Sequence, residues 1–510
     1  MTTTKPLDAE IIEGAGGMRA DKAARRRLAD SLRATMGRYE VPRFVPCVVA
    51  GIAQRASATA YAYGALVAQD AWVLRCIKAG ASGASAMLSL ADPDYIADGA
   101  AVWAVQGRLA PVPFANNLAM AKGQQFATGG MMFEVTVAGT THAADAAPSA
   151  PSGGTHGSVT YVYVGRQELP LVYLVEGAAP AGTSQQAAYS DNAKIAAKGG
   201  VKFDNYPYNG TVGTIMSQSW DGVTLARGQG SWLWQTDAPV AAIRGYMQLY
   251  GDYIWVDGRI VASVTQTAAA TYRQIVIDSS GLARRMRNIR HRSGSATNIL
   301  GIWASGFDTV RAWSGYSPLR IVSLGDSFTE GYGFTSYLSD MLGVEDWWIQ
   351  GIGDTGILDV GPGRTNWTER LSLDVISRDP DIVLIPLSQN DGPGEATNIA
   401  FAAMLDRIRN ETHAEVVVVG VWNNRGPITA GSAYTLDTDL QAICAAKGVP
   451  YIKWRDLLTD GGYVGAAAGT GNSKFYTTYD GTHPTAPAGM HFRASYLAPR
   501  FLEAVEGLAA

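Results

Sequence analysis

Four stretches in the last part of the sequence carry residue types that together can move an acyl group. They are Gly325-Asp326-Ser327, Gly351-Ile352-Gly353-Asp354-Thr355-Gly356, Leu387-Ser388-Gln389-Asn390-Asp391 and Tyr479-Asp480-Gly481-Thr482-His483-Pro484. A serine hydroxyl is a weak nucleophile until a base takes its proton, and the imidazole of His483 is such a base. That imidazole needs its tautomer fixed and its positive charge balanced. Asp480, three residues earlier on the same turn, is placed to reach the second ring nitrogen. The tetrahedral intermediate of acyl transfer carries an oxyanion, which needs donors aimed at it. The backbone N–H groups of Ser327 and Gly353 and the side-chain amide of Asn390 are the candidates. A glycine at 353 lets an oxygen approach the backbone closely, and losing one donor of this kind costs about 3 kcal/mol of transition-state stabilisation.

These residues need a scaffold, and residues 317–510 supply the pattern for one. Strand-like runs at Arg320–Leu324, Asp346–Ile349, Ile382–Leu387, Glu415–Val421 and Tyr451–Lys453 alternate with helix-like runs at Phe334–Leu342, Asn398–Asn410, Thr435–Lys447 and Ala488–Ala504. Ile382-Val383-Leu384-Ile385 and Val416-Val417-Val418-Val419 are wholly apolar, as expected of strands covered on both faces. The alternation predicts a three-layer, doubly wound α/β domain with a parallel sheet, whose reactive residues gather at the C-terminal ends of its strands.

Taken singly, each signal has a plain structural reading. Gly-Asp-Ser reads as a turn in which Asp326 or Ser327 caps a helix, Asp480 and His483 as a tight turn, and Asn390 as a satisfied loop amide. Together, in this order and at strand ends, Gly325-Asp326-Ser327, Gly353, Asn390-Asp391 and Asp480-x-x-His483 resemble the blocks of the SGNH (GDSL-type) hydrolase superfamily. The resemblance implies that Ser327 is the nucleophile, that Asp480 and His483 complete its triad, and that Gly353 and Asn390 complete the oxyanion hole begun by the Ser327 N–H. Two features depart from the family pattern. Ser388 stands where a glycine is usual, which bears on loop shape. The second block offers both Gly351 and Gly353, of which Gly353 is preferred because it begins Gly-Asp-Thr.

The remaining histidines, His142, His156, His291, His413 and His491, have no such setting and are expected to be structural or exposed. No metal-ligand spacing is present, and the proposed chemistry calls for neither metal nor cofactor. Cys47, Cys76 and Cys444 are too scattered for a disulfide framework and are expected as buried thiols.

The upstream chain is β-rich apart from residues 1–45, where Met18–Arg33 has amphipathic helical spacing. That helix is expected either to pack on a neighbour or to serve as an attachment or oligomerisation arm. Residues 46–170 contain a repeat. Leu74–Ser82 aligns with Phe133–Thr141 and Gly99–Gly107 with Gly157–Gly165, predicting two copies of one small β-module, with residues 142–158 a loop in the second. Their Gly and aromatic spacing resembles modules of phage tail fibres and some carbohydrate-binding proteins. Residues 171–316 are expected to be a connector, to about 195, followed by a β-sandwich of jelly-roll type, with Val256-Asp257-Gly258-Arg259-Ile260 a hairpin. A sandwich before a hydrolase domain is similar to the layout of several carbohydrate esterases.

At 510 residues the chain exceeds one core. A net charge of −4 argues against a nucleic-acid partner, and no apolar run approaches a membrane span. The N-terminus lacks a secretory pattern. The resemblances together imply an O-acetylesterase acting on an acetylated polysaccharide of a bacterial surface. The expected setting is a phage particle, reached through the N-terminal region, as a homo-oligomer, with a trimer the form such proteins often take. Two other readings stay open here: a spike protein whose hydrolase domain grips glycan without turnover, and a lipid esterase or thioesterase of the same superfamily.

Overall fold

The computed structural model describes residues 11–12, 19–20, 22–42, 44–84, 95–176, 180–188, 192–198, 201–208, 211–217, 230–247, 250–266, 271–293, 298–330, 333–421, 431–454, 483 and 488–509. In the last third of the chain, five parallel strands form one sheet: β1 (Arg320–Gly325), β2 (Asp346–Gly351), β3 (Ile382–Pro386), β4 (Glu415–Val419) and β5 (Tyr451–Ile452). Their spatial order is β2-β1-β3-β4-β5. The order reverses between β1 and β3, and in open α/β sheets the crevice at that switch point is where ligands bind.

The alternation of side chains decides which helices cover which face. Ile321, Ile349, Leu384, Val417 and Val419 point to one side. They meet α1 (Lys22–Thr35), α2 (Phe334–Leu342) and α6 (Ala488–Ala509). Val322, Leu324, Val383, Ile385, Val416 and Val418 point to the other. They meet α3 (Trp367–Asp374), α4 (Glu395–Glu411) and α5 (Ser432–Lys447). The parallel sheet and three layers agree with the sequence pattern. Helix α3 was not anticipated. It is short, but Asn366 caps it by accepting the Glu369 N–H, and Asn-x-x-Glu ahead of an apolar run is a readable start signal.

Helix α1 packs on this α/β domain. Leu28, Ala29 and Leu32 are buried with Leu319, Trp347 and Phe501, and Arg25 pairs with Glu415 at 2.6 Å. Of the two expectations for this helix, packing on a neighbour is what the structure shows.

Between residues 171 and 312 lie two strand-rich sheets facing one another. One runs, in spatial order, Leu171–Glu176, Thr271–Asp278, Val240–Met247, Asn298–Ala304, Thr211–Ser217 and Val201–Tyr208. The other runs Ala196–Lys198, Gly230–Thr236, Arg287–Ser293, Tyr250–Val256, Arg259–Gln266 and Cys47–Ala50. Trp232, Trp234, Ile254 and Val264 from one sheet pack with Ile243, Ile275 and Ile302 from the other. Two expectations need correction. Residues 171–176 are an edge strand and no connector, because Leu171-Val172-Tyr173-Leu174-Val175 alternates well enough to pair with Thr271–Asp278. Cys47–Ala50 pairs in parallel with the 263–266 end of the Arg259 strand. It therefore belongs to the sandwich by pairing and not to the modules expected over residues 46–170. The hairpin at Asp257 and Gly258 forms with both residues at positive φ, +52° and +83°, as a type I′ turn demands.

Within residues 53–166 two small sheets share one strand order, beside two-stranded ribbons of Ala60–Tyr61 with Gly80–Ala81 and of Ala119–Met120 with Gly139–Thr140. Leu66–Gln69, Trp72–Lys78, Ala101–Arg108 and Tyr95–Asp98 stand in the first. Gln125–Thr128, Met131–Val137, Val159–Arg166 and Gly154–His156 stand in the second, with Val112–Pro113 added at its edge. Within the stretch expected as a loop, residues 154–156 are thus a strand. All three cysteines are buried and unbridged. Among the described residues no helix is long and apolar enough to cross a membrane.

The sandwich grips the α/β domain through charge. Arg290 and Arg292, on one sandwich strand, both pair with Asp340 of α2, the former at 2.8 Å, and all three side chains are buried. Arg290 lies over the rings of Tyr39 and Trp255, and Arg292 over Tyr253 and Trp255. Next to them Glu345 accepts from the Tyr39 hydroxyl at 2.7 Å and from the Tyr316 N–H at 2.8 Å. Removing one member of a buried ion group strands the others in low dielectric, at a cost of about 3–5 kcal/mol. Asp340→Ala is therefore expected to lower the midpoint of thermal unfolding sharply, read by circular dichroism. An unchanged midpoint would show that the two arginines are held well enough without Asp340, by the aromatic rings and by their bonds to Ser231 and Ser336.

Candidate functional site

Strand β1 ends in Gly325 and the chain turns at once. Asp326 starts the turn: its backbone carbonyl accepts the N–H of Thr329 at 3.0 Å and of Glu330 at 2.9 Å. Its Oδ1 accepts the Phe328 N–H at 2.9 Å. That wrapping lifts Ser327 out of the sheet, where it is half-buried while Asp326 and Phe328 are buried. The structure brings His483 to it: Nε2 lies 3.0 Å from Ser327 Oγ. The imidazole also rests against the Phe328 ring, 5.4 Å between centroids. Asp480 lies outside the described residues.

The two glycines of the second block have different jobs. A Cβ on Gly351 would sit 2.2 Å from the Glu330 nitrogen, so this glycine is needed for the close approach of the turn that carries Ser327. A Cβ on Gly353 would instead lie 3.6 Å from Ser327 Cβ and 2.9 Å from Glu330 Oε2. Gly353 is thus the one beside Ser327. Its N–H donates to Glu330 Oε2 at 2.8 Å.

Asn390 follows β3, on the other side of the switch point. Its Nδ2 donates to the Thr355 carbonyl at 3.0 Å, which fixes the orientation of the amide. Its backbone N–H donates to Ser388 Oγ at 2.9 Å. Ser388 Oγ in turn donates to Asp326 Oδ2 at 2.9 Å. The departure at Ser388 is therefore a link: one hydroxyl joins the turn that carries Ser327 to the loop that carries Asn390. Asp391 holds the second block, accepting the N–H groups of Ile357 at 2.7 Å, Leu358 at 3.0 Å and Asp359 at 3.1 Å. Burial pushes its carboxyl up, against the pull of those three donors.

Beneath these loops lies Arg370 of α3, buried with Asp374 at 2.7 Å. It donates to the carbonyls of Gly325 at 2.6 Å and Gln350 at 2.9 Å, the ends of β1 and β2. Burial pulls its pKa down and Asp374 pulls it back up. Sequence reasoning missed Arg370, Glu330 and the role of Ser388. Arg370 and Asp374 carry a signal, opposite charges one helical turn apart on a helix that must also be buried.

The other histidines serve structure. His156 Nδ1 accepts the His142 N–H at 2.9 Å, and His291 lies 3.0 Å from buried Asp252. His413 sits between Asp379 and Asp381, and His491 Nε2 lies 2.8 Å from the Val41 carbonyl.

Residues 323–489 match the model of the GDSL-like Lipase/Acylhydrolase family. None of the curated proteins matches this chain. Among solved structures, a carbohydrate esterase family 2 enzyme with its carbohydrate binding domain, from Corynascus thermopiles (Myceliophthora fergusii), is 15% identical with a TM-score of 0.41, covering 57% of this chain and 99% of that one. A family two carbohydrate esterase from Cellvibrio japonicus is 14% identical at TM-score 0.43, covering 64% and 99%. The salicylyl-acyltransferase SsfX3 from a tetracycline biosynthetic pathway is 13% identical at TM-score 0.45, covering 64% and 97%.

Asp326 makes the site sensitive to pH. Burial pushes its carboxyl from 3.8 up to about 6, in spite of the donors from Phe328 and Ser388 and the field of His483. A carboxyl raised on folding favours the protonated folded form. Its contribution to stability is full below the unfolded value of 3.8 and is lost as pH rises to about 6. Asp326→Asn removes this titration and keeps the shape. The melting temperature of the wild type, relative to that of Asp326→Asn, is expected to fall as the pH rises through that window. A constant difference would show that Asp326 titrates normally.

Proposed function

We propose that the domain at residues 317–510 is a serine esterase that removes short acyl groups, acetyl above all, from a polysaccharide, with Ser327 as the nucleophile. The observation that carries this reading is the 3.0 Å approach of His483 Nε2 to Ser327 Oγ at the switch point of the sheet. That geometry is what a base needs to take the hydroxyl proton.

In the first half-reaction the Ser327 oxygen bonds the carbonyl carbon while its proton passes to His483 Nε2. The oxyanion is held by the backbone N–H groups of Ser327 and Gly353 and by the second N–H of Asn390 Nδ2, whose first is engaged by Thr355. Collapse breaks the bond to the sugar oxygen, which takes the proton from His483. Water then gives its proton to His483 and adds to the acyl carbon. Ser327 leaves as the hydroxyl, and the acid is released. Asp480 is assigned to the other imidazole nitrogen, fixing the tautomer and balancing the imidazolium.

A polymeric glycan is supported by the company the domain keeps. The sandwich is bound through buried charge to α2, the first helix after Ser327. The two repeated β-modules are joined to the sandwich by Cys47–Ala50. We assign the upstream β-structure to holding the glycan or a particle partner.

Acetate release from acetylated bacterial polysaccharide, beside p-nitrophenyl acetate and a long-chain ester, tests the reading. Ser327→Ala is expected to lower turnover by about 1,000-fold or more. Cleavage that survives it overturns the nucleophile, and preference for the long chain overturns the glycan. Ser388→Gly restores the smaller residue and cuts the link between the two loops. It is expected to lower kcat roughly 10-fold with KM little changed, since small misplacements of catalytic groups have costs of that size. An unchanged kcat would show that Ser388 only fills space.

A further inference from the structure

We propose that Glu330 is a displaceable occupant of the oxyanion hole and that its charge selects neutral acyl groups over anionic ones. This rests on the esterase reading and names a specificity residue within it. Glu330 belongs to the same turn as Ser327, and its N–H is tied to the Asp326 carbonyl at 2.9 Å. The missing Cβ of Gly351 lets its backbone pack tightly against β2. Its side chain therefore starts from a fixed point a few atoms from the nucleophile. It ends on the Gly353 N–H, with Oε2 at 2.8 Å.

That N–H is the donor that the substrate carbonyl needs. One N–H does not serve a carboxylate and an oxyanion at the same place, so Glu330 must swing away when an ester binds. It is free to do so: among the described residues Glu330 forms no salt bridge. Arg370, whose guanidinium feels the Glu330 charge, directs its bonds to Asp374 and to the carbonyls of Gly325 and Gln350. With no ester bound, the carboxylate satisfies the amide and holds the Gly353 loop in its working position.

The displaced carboxylate stays on the turn it started from. A neutral acyl group faces the cost of displacement alone. An acyl group with its own carboxylate, such as succinyl, also meets a second negative charge close beside it. Like charges brought together in this way disfavour binding by a tenfold step or more.

The test compares wild type, Glu330→Gln and Glu330→Ala on p-nitrophenyl acetate and on the monoanionic p-nitrophenyl hemisuccinate, with Ser327→Ala as the blank. Glutamine keeps an acceptor for the Gly353 N–H and loses the charge. It therefore isolates charge from loop support, which alanine removes as well. Glu330→Gln is expected to raise kcat/KM for the acetyl ester severalfold and for the succinyl ester by about tenfold more. An acetyl-to-succinyl ratio equal to that of wild type in Glu330→Gln overturns the proposal, as does a fall in both rates. If wild type cleaves no ester, the esterase reading has failed on its own account. Glu330 is then read from the labelling of Ser327 by diethyl p-nitrophenyl phosphate, followed by intact mass. Faster labelling in Glu330→Gln supports the gate, and an equal or slower rate overturns it.

Discussion

A carboxylate shut away from water must be solvated by the protein or give up its charge, and the site is arranged around meeting that demand for Asp326. Its charge is stabilised by the Phe328 N–H and the Ser388 hydroxyl. Each of those donors fixes an element of the candidate site: the first bends the chain so that Ser327 projects, and the second sets the loop of Asn390. The groups that satisfy the buried charge are the groups that hold the geometry. The rise of its pKa to about 6 shows that the solvation is incomplete, so the turn is held at some expense to ionisation.

The same logic is repeated one layer down and one domain away. Arg370 needs acceptors and finds them in Asp374 and in the carbonyls at the ends of β1 and β2, so a helix on one face of the sheet locks the strand ends that carry the chemistry. Asp340 needs donors and finds them in Arg290 and Arg292 of the sandwich. Buried ionic groups of this kind add little net stability compared with apolar packing, but they tolerate few alternative arrangements. They suit a protein in which a sandwich, a helix from the N-terminus and a parallel sheet must keep one relative placement.

How much of this was legible depended on how local the cause was. The parallel sheet was readable because wholly apolar runs such as Val416–Val419 leave little alternative. The Asp257-Gly258 hairpin was readable because only such residues take both positive φ values cheaply. Ser327, His483, Gly353 and Asn390 stood out because their types have few other reasons to recur at strand ends. What escaped depends on contacts distant in sequence. Cys47–Ala50 reads as another module strand until its partner at 263–266 is known. Ser388 looked like a deviation in loop shape. Its function appears only once Asp326, distant in sequence, is seen 2.9 Å away. Glu330 carried no signal, since an acidic residue after a turn is ordinary.

The proposed oxyanion donors bring these points together. A site that stabilises developing charge works best when its dipoles are already oriented, because no reorganisation is then needed during reaction. Orientation without substrate requires stand-in acceptors, or buried N–H groups go unsatisfied. Here the Thr355 carbonyl orients the Asn390 amide and the Glu330 carboxylate orients the Gly353 N–H. The two stand-ins differ in kind. Thr355 uses one of two amide hydrogens and leaves the other for substrate. Glu330 uses the sole hydrogen of Gly353 and must leave. Preorganisation by a neutral carbonyl is compatible with catalysis as it stands, whereas preorganisation by a carboxylate turns each binding event into an exchange of one anionic acceptor for another.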